Sequence, residues 1–236
     1  MPCGILKSWK RNGYLPALNK SVMNKRGLYL LFLIGTSLLS CQKKQPEVVI
    51  STSFGDIRVR LFDTTPRHRD NFLQLVRTGF YDSLLFHRVI RDYIIQGGDP
   101  GSKHAPPGVL LGEGDPGYDI PAEIGAPHLR GAVSAARLPD ARNPYRRSSG
   151  SQFFIVLGEP QTDAILDKCE KHMEMKYSPE LREQYKKTGG IPQLDAEYTV
   201  FGAVISGLEV LDKIAAVPRD NNDRPLEDIR MTIKTE

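Results

Sequence analysis

Between Asp56 and Phe62 the chain reads DIRVRLF, with Ile57, Val59 and Leu61 alternating with Arg58 and Arg60. A period of two is the pattern of a strand with one face buried. VVIST, from residue 48, lies upstream across the turn residues SFG, so the two runs predict a hairpin. The period then changes. In DTTPRHRDNFLQLVRTG, residues 63–79, Phe72, Leu75 and Val76 share one helical face, with Thr64 or Thr65 as N-cap, Pro66 at the first helical position and Gly79 as terminator. Further short strands are expected at 85–89, 93–97, 131–136, 152–157, 198–204 and 228–234. With the hairpin they make eight, separated by turn-rich segments such as DPGSKHAPPG and RLPDARNPYRRSSG. Short strands at this density predict a mainly β chain, a sandwich or a closed barrel. A second helix is expected in GLEVLDKIAA, where Leu208, Leu211 and Ile214 recur at helical spacing.

One segment breaks this pattern. From Gln161 to Thr188 the chain is polar and helical in composition, and SPELREQYKKTGG supplies Ser178 as N-cap, Pro179 at the first position and Gly189 past the end. A helical pair set between strands of a β domain reads as a lobe of that domain.

The first 40 residues are different again. They hold six lysines and arginines, no acids and the apolar run LYLLFLIGTSLLS from Leu28 to Ser40. Thirteen residues fall short of the ~20 that a spanning helix needs. A basic NKRG before a short apolar run ending in small residues is the pattern of a secretory signal. LLSC at its end resembles a bacterial lipobox, in which Cys41 would be lipidated and become the first mature residue. The expected division is therefore a signal at 1–40, a lipidated tether at 41–46 and a folded domain at 47–236, with Met23 as an alternative start. An uncleaved signal anchor is the competing reading.

Removing that segment changes the electrostatics. The whole chain carries a formal charge of +4; without the six positive residues, 26 basic side chains face 28 acidic ones, a balance of −2. A basic pI that belongs to the targeting segment gives no support to nucleic-acid binding, which needs a clustered basic face. Cys3 would be removed and Cys41 acylated, leaving Cys169 without an intrachain partner. The five histidines are scattered and no CxxC is present, so no metal site is expected.

Four pieces carry candidate chemistry: FGDIRVRLFDTTPRHRDNFLQLVRTGFYDSLLFHRVIRDYIIQGGD, RGAVSAAR, GSQFFIV and YTVFGAVISGLEVLDKI. In content and order, over nearly all of residues 47–236, they resemble the signature blocks of cyclophilin-type peptidyl-prolyl cis-trans isomerases, in their short bacterial form. The resemblance implies a closed, eight-stranded antiparallel β-barrel capped by two helices, here with a helical insertion at about 161–188. It implies a groove on the outside of the barrel, with Arg88 as the catalytic arginine and Gln96 as the amide that bonds the substrate backbone. Tyr93, Ile94, Phe154 and Leu194 would line a pocket for the proline ring. Ala136 and the backbone of Arg137 would form the facing wall, with Gln152 and Tyr198 nearby. Strand alternation alone would put Tyr93 and Gln96 on opposite faces, so their shared site requires a bend. His87, alternating with Arg88, is expected to face inward as a satisfied structural histidine.

Physical chemistry says why an arginine is wanted. Twisting an X–Pro bond costs about 18–20 kcal/mol because amide resonance is lost. In the twisted state the lone pair is localised on the proline nitrogen, and a fixed guanidinium favours that state over either planar one. The chemistry calls for no nucleophile, metal or cofactor. The implied partners are proline-containing polypeptides and, through Cys41, a membrane; the implied state is a monomer that accelerates folding of exported and envelope proteins. This chain departs from the family pattern in having Gln193 where many members have tryptophan, and Arg137 and Leu138 where small polar residues are usual. A second reading is a catalytically weak binding or chaperone module that uses the helical insertion. A hydrolase is set aside, since no Ser/His/Asp or paired-carboxylate arrangement is evident.

Overall fold

The computed structural model describes residues 44–236, so the expected signal segment and Cys41 lie outside the described residues. The hairpin forms as its alternation predicts. Strands β1 (Glu47–Thr52) and β2 (Gly55–Leu61) pair antiparallel up to Thr52 opposite Gly55, and Gly55 takes φ +127°, a value that L side chains rarely adopt. β3 (Arg88–Ile90), β4 (Ile94–Gly97), β6 (Ala132–Ala135), β8 (Phe153–Val156), β9 (Val200–Ser206) and β10 (Thr232–Thr235) complete an eight-stranded antiparallel sheet. Its order is β10-β1-β2-β9-β6-β8-β4-β3. A short ladder that the sequence did not signal, β5 (Asp119–Ile120) with β7 (Ser148–Ser149), stands apart.

The sheet curls, but it is not closed by a regular ladder. β3 and β10 are its two edges. They are joined by the irregular stretches just before them: Leu85 bridges Arg230, Ser83 N–H donates to the Met231 carbonyl, and Phe86 N–H donates to that of Ile229. The strands expected at 85–89 and 228–234 are therefore shorter than predicted, because their first residues form this seam.

Alternation sorts the side chains. Ile50, Ile57, Val59, Leu61, Val89, Ile95, Val133, Phe153 and Ile155 face one continuous core. Helix α1 (Pro66–Arg77) lies against β9 and β10 and contributes Phe72, Leu73, Leu75 and Val76. Helix α4 (Leu208–Ala215) lies against β2, β3 and β4 and contributes Val210, Leu211 and Ile214. Gly79, at φ +68°, ends α1 as predicted: Phe80 N–H donates to the Leu75 carbonyl and Gly79 N–H to that of Val76. The N-terminus departs from prediction. Thr65 occupies the N-cap position but makes no side-chain cap bond. Instead the carboxylate of Glu123, distant in sequence, accepts from the backbone N–H groups of Arg67 (3.2 Å) and His68 (3.1 Å) and bonds the His68 ring at 2.7 Å.

The insertion folds as two helices, α2 (Asp163–Met173) and α3 (Pro179–Thr188). Ser178 Oγ accepts from Leu181 N–H at 3.2 Å, the cap its position predicts. The pair buries its own small core of Leu166, Cys169, Tyr177 and Tyr185. Arg182 on α3 bonds Asp163, Asp167 and Glu170 of α2 at 2.8–2.9 Å, and buried Glu170 also accepts from Tyr177 N–H at 3.2 Å.

His87 is buried, 3% exposed, but it is not satisfied. Neither ring nitrogen has a hydrogen-bond partner of good geometry among the described residues. Burial pushes its pKa down to about 4, and burial lowers that of His68 as well. The folded state then stays neutral at His87 down to about pH 4, while the unfolded chain takes up a proton below about pH 6.5. Between those values the unfolded state binds more protons, so stability falls as pH falls, by up to about 1.4 kcal/mol per pH unit from His87. Urea unfolding from pH 7.5 to 4.5 is expected to show this decline, and His87→Leu to flatten it; an unchanged slope in the variant would remove His87 as its source.

Candidate active site

The site begins with register. Arg88 on β3 is paired with Gln96 on β4, Gln96 with Phe154 on β8, and Phe154 with Ser134 on β6. Residues paired across antiparallel strands project to the same face. A guanidinium, an amide and a phenyl ring therefore stand in one row, on the face away from the main core. Ile94 joins them, two residues from Gln96, while Ile95 between them belongs to the core. Tyr93 is brought in by the bend that alternation required. It lies in the turn before β4, after Asp92 at φ +59°, with its N–H on the Ile90 carbonyl at 3.1 Å.

A cavity of about 280 Å³ opens over this row, lined by Arg88, Tyr93, Ile94, Gln96, Ala136, Arg137, Phe154, Leu194 and Tyr198. All nine are residues the sequence nominated. The tenth, Gln152, lines a wider neighbouring groove of about 640 Å³, which shares Gln96, Ala136 and Arg137 with the first. Phe154 forms an apolar floor, 3% exposed, and Tyr198 meets it edge-on at 5.6 Å and 84°. Pro-sized apolar space with polar groups at one rim suits a residue that is apolar on its ring and polar along its backbone.

The polar rim is a chain of oriented donors. Arg88 Nη1 donates to Gln96 Oε1 at 3.4 Å, and Gln96 Nε2 donates to Gln152 Oε1 at 3.0 Å. Gln152 Nε2 donates in turn to the carbonyls of Gly112 (2.9 Å) and Gly114 (2.6 Å). Asp99, 2% exposed, pins that loop by accepting from Gly112 N–H at 2.5 Å and Gly114 N–H at 3.4 Å. A side chain at Gly114 would bring its Cβ within 2.1 Å of Asp99 Oδ1, so the close approach requires glycine. Each amide is thereby held with one end fixed. The Arg88 side chain is 42% exposed, with Asp223 Oδ2 3.9 Å from its Nε. At that distance and exposure the pair is weak, and the guanidinium keeps donors free for a ligand.

Arg137 lines both cavities, and its side chain is tied down beside Tyr198. The guanidinium lies 4.6 Å from the Tyr198 ring centre, donates to the Glu197 carbonyl at 3.0 Å and pairs with the Glu197 and Asp140 carboxylates. Only 6% of the side chain is exposed. It stiffens Tyr198, and its charge is neutralised locally. Three contributors were not visible in the sequence: Asp223 beside Arg88, Asp99 beneath the glycine loop, and His128, which stacks behind Phe154 at 6.2 Å and 15°. The turn residues around Asp220–Arg224 and the glycines at 112 and 114 were the available signals, and neither says what it approaches.

Residues 47–235 match the family model described as cyclophilin type peptidyl-prolyl cis-trans isomerase/CLD. The chain belongs to that family. The Arabidopsis thaliana peptidyl-prolyl cis-trans isomerase CYP18-2 is 32% identical over 189 residues, covering 79% of this chain and 90% of that one. A Streptococcus pyogenes protein named as a bifunctional phosphatase/peptidyl-prolyl cis-trans isomerase is 35% identical over 188 residues, but the match spans 37% of that longer protein. The crystal structure of a Cryptosporidium parvum cyclophilin type isomerase superposes with a TM-score of 0.58 at 27% identity, covering 81% of this chain and 98% of that one. The same protein solved in the presence of the dipeptide Ala-Pro gives 0.57 at 28% identity. The cyclophilin-type domain of this chain thus carries the isomerase family's fold, and the row from Arg88 to Phe154 lies on its outer face.

Proposed function

We propose that this protein accelerates cis-trans isomerisation of X–Pro bonds in polypeptides, with Arg88 as the group that lowers the barrier. The observation that carries the reading is the registered row of Arg88, Gln96 and Phe154 beside an apolar cavity of about 280 Å³. The proline ring sits on Phe154 among Ile94, Leu194, Tyr93 and Tyr198. Gln96 bonds the backbone next to the ring and keeps the X–Pro unit from sliding. Arg88 donates where charge localises as the bond twists, and the surrounding chain of amides fixes it before the substrate arrives. The relative solved with Ala-Pro supports a dipeptide of this kind as the minimal ligand. Exchange NMR of a short X–Pro peptide with the full chain is the test. Accelerated exchange is expected; none from the folded protein would overturn the reading and leave a binding module.

We further infer that the domain works in the cell envelope on exported chains, tethered by a lipid on Cys41. The motif LLSC after a basic and apolar leader supports this. In a bacterial host, labelling with a fatty-acid analogue is expected to mark the wild-type chain, and Cys41→Ala to abolish the label and accumulate precursor. Undiminished labelling of the variant would exclude the anchor.

A further inference from the structure

The insertion reaches the pocket through one buried carboxylate. Asp195, 4% exposed, directly follows Leu194 of the pocket wall. Its Oδ2 accepts from Tyr177 Oη at 2.7 Å and from Tyr185 Oη at 2.6 Å. Tyr177 lies between the two helices of the insertion and Tyr185 on α3. Its Oδ1 accepts from the backbone N–H of His128 at 2.7 Å and lies 2.9 Å from His128 Nδ1, which donates to it. His128, wholly buried, is the ring stacked behind Phe154 and set edge-on to Tyr198 at 6.3 Å.

One side chain therefore gathers four donors, two from the insertion and two from the residue that backs the pocket floor. Burial and the nearby Asp195 push both phenol pKa values up, so the tyrosines stay donors wherever the fold survives. The fit is close: Tyr185 packs so tightly on Gly190 that a Cβ there would lie 2.7 Å from its ring. Tyr177 Oη also reaches the Pro192 carbonyl at 3.3 Å, tying it to the short turn Pro192–Leu194 that presents Leu194.

We propose that the helical insertion is a buttress of the proline pocket, in which Tyr177 and Tyr185 act through Asp195 as positioning residues for Leu194 and, by way of His128, for Phe154. The inference rests on the isomerase reading of that pocket. The insertion's role is to hold the pocket wall for the ring of an incoming X–Pro unit, and Arg88 lies outside the chain of contacts it controls.

The experiment uses the full chain carrying Tyr177→Phe and Tyr185→Phe together, with Asp195→Asn as an isosteric second variant should the first fail to fold. Shifting a positioned group can cost up to about 100-fold; KM for an X–Pro peptide is expected to rise by on the order of ten-fold at unchanged kcat. Thr162→Ala is the control. It removes the N-cap of α2, where Thr162 Oγ1 accepts from Ile165 N–H at 3.4 Å, touches none of the groups around Asp195, and is expected to lower the Tm while leaving KM unchanged. Parallel changes in Tm for all variants, with KM constant in a folded double variant, would overturn the proposal. Methyl NMR of Leu194 needs no substrate and separates this outcome from failure of the isomerase reading. Shifted Leu194 methyls in the variants support the buttress even if the wild type does not isomerise peptides, and unmoved methyls refute it even if it does.

Discussion

Arg88→Ala is expected to reduce kcat for X–Pro isomerisation by on the order of 10²–10³, the effect of deleting one preorganised donor from a site of developing charge. The fold should survive, because the side chain is 42% exposed and its partners are a 3.4 Å bond to Gln96 and a 3.9 Å contact with Asp223. Arg88→Lys should recover little of the loss: a single ammonium cannot bond Gln96 and still present an oriented fork to the substrate. Peptide affinity should change much less than turnover, since the ring is held by Phe154 and its neighbours and not by the guanidinium. Exchange NMR at saturating peptide, paired with a thermal melt, separates these effects. Turnover within a factor of two of wild type in Arg88→Ala would place the catalytic group elsewhere.

Phe153→Ala is expected to cost about 3–5 kcal/mol of stability, as truncation of a buried phenyl does. Phe153 is 1% exposed and sits at the centre of the aromatic core, meeting Phe72 edge-on at 5.5 Å, Tyr81 at 5.8 Å and Phe86 at 6.2 Å. Those rings come from α1, the segment after it and the stretch that forms the barrel seam, so none can fill the void without moving the others. Tyr81 is further fixed by its bond from Oη to the Ser151 carbonyl at 3.1 Å. Urea titration should show the midpoint falling with little change in slope. A loss under 1 kcal/mol would mean the core collapses around the gap. Adjacent Phe154 points the other way and floors the pocket, so two neighbouring phenylalanines carry different tasks.

Much of this was legible because it is local. Ile57, Val59 and Leu61 alternate because a strand buries one face, and Phe72, Leu75 and Val76 recur because a helix does. Pro66 and Gly79 set the bounds of α1, and Ser178 and Pro179 the start of α3, through backbone preferences that hold wherever these residues occur. The order of the motifs nominated all nine residues around the smaller cavity.

What the sequence could not supply is pairing between distant segments. Thr65 was a reasonable cap by type, but Glu123 arrives from 56 residues beyond Arg67 and takes the helix N-terminus. His87 was expected to be satisfied, yet neither ring nitrogen has a partner of good geometry among the described residues. The closure of the barrel by residues 83–86 and 229–231, the bonds that hold Arg137 over Tyr198, and the four bonds converging on Asp195 all depend on which strand lies beside which. Residue type and spacing determined the strands, the helices and the chemical groups available to the site. Only the folded sheet decided that Arg88, Gln96 and Phe154 stand in one row and that a helical lobe leans on the pocket beside them, because register is a contact between segments that no single segment encodes.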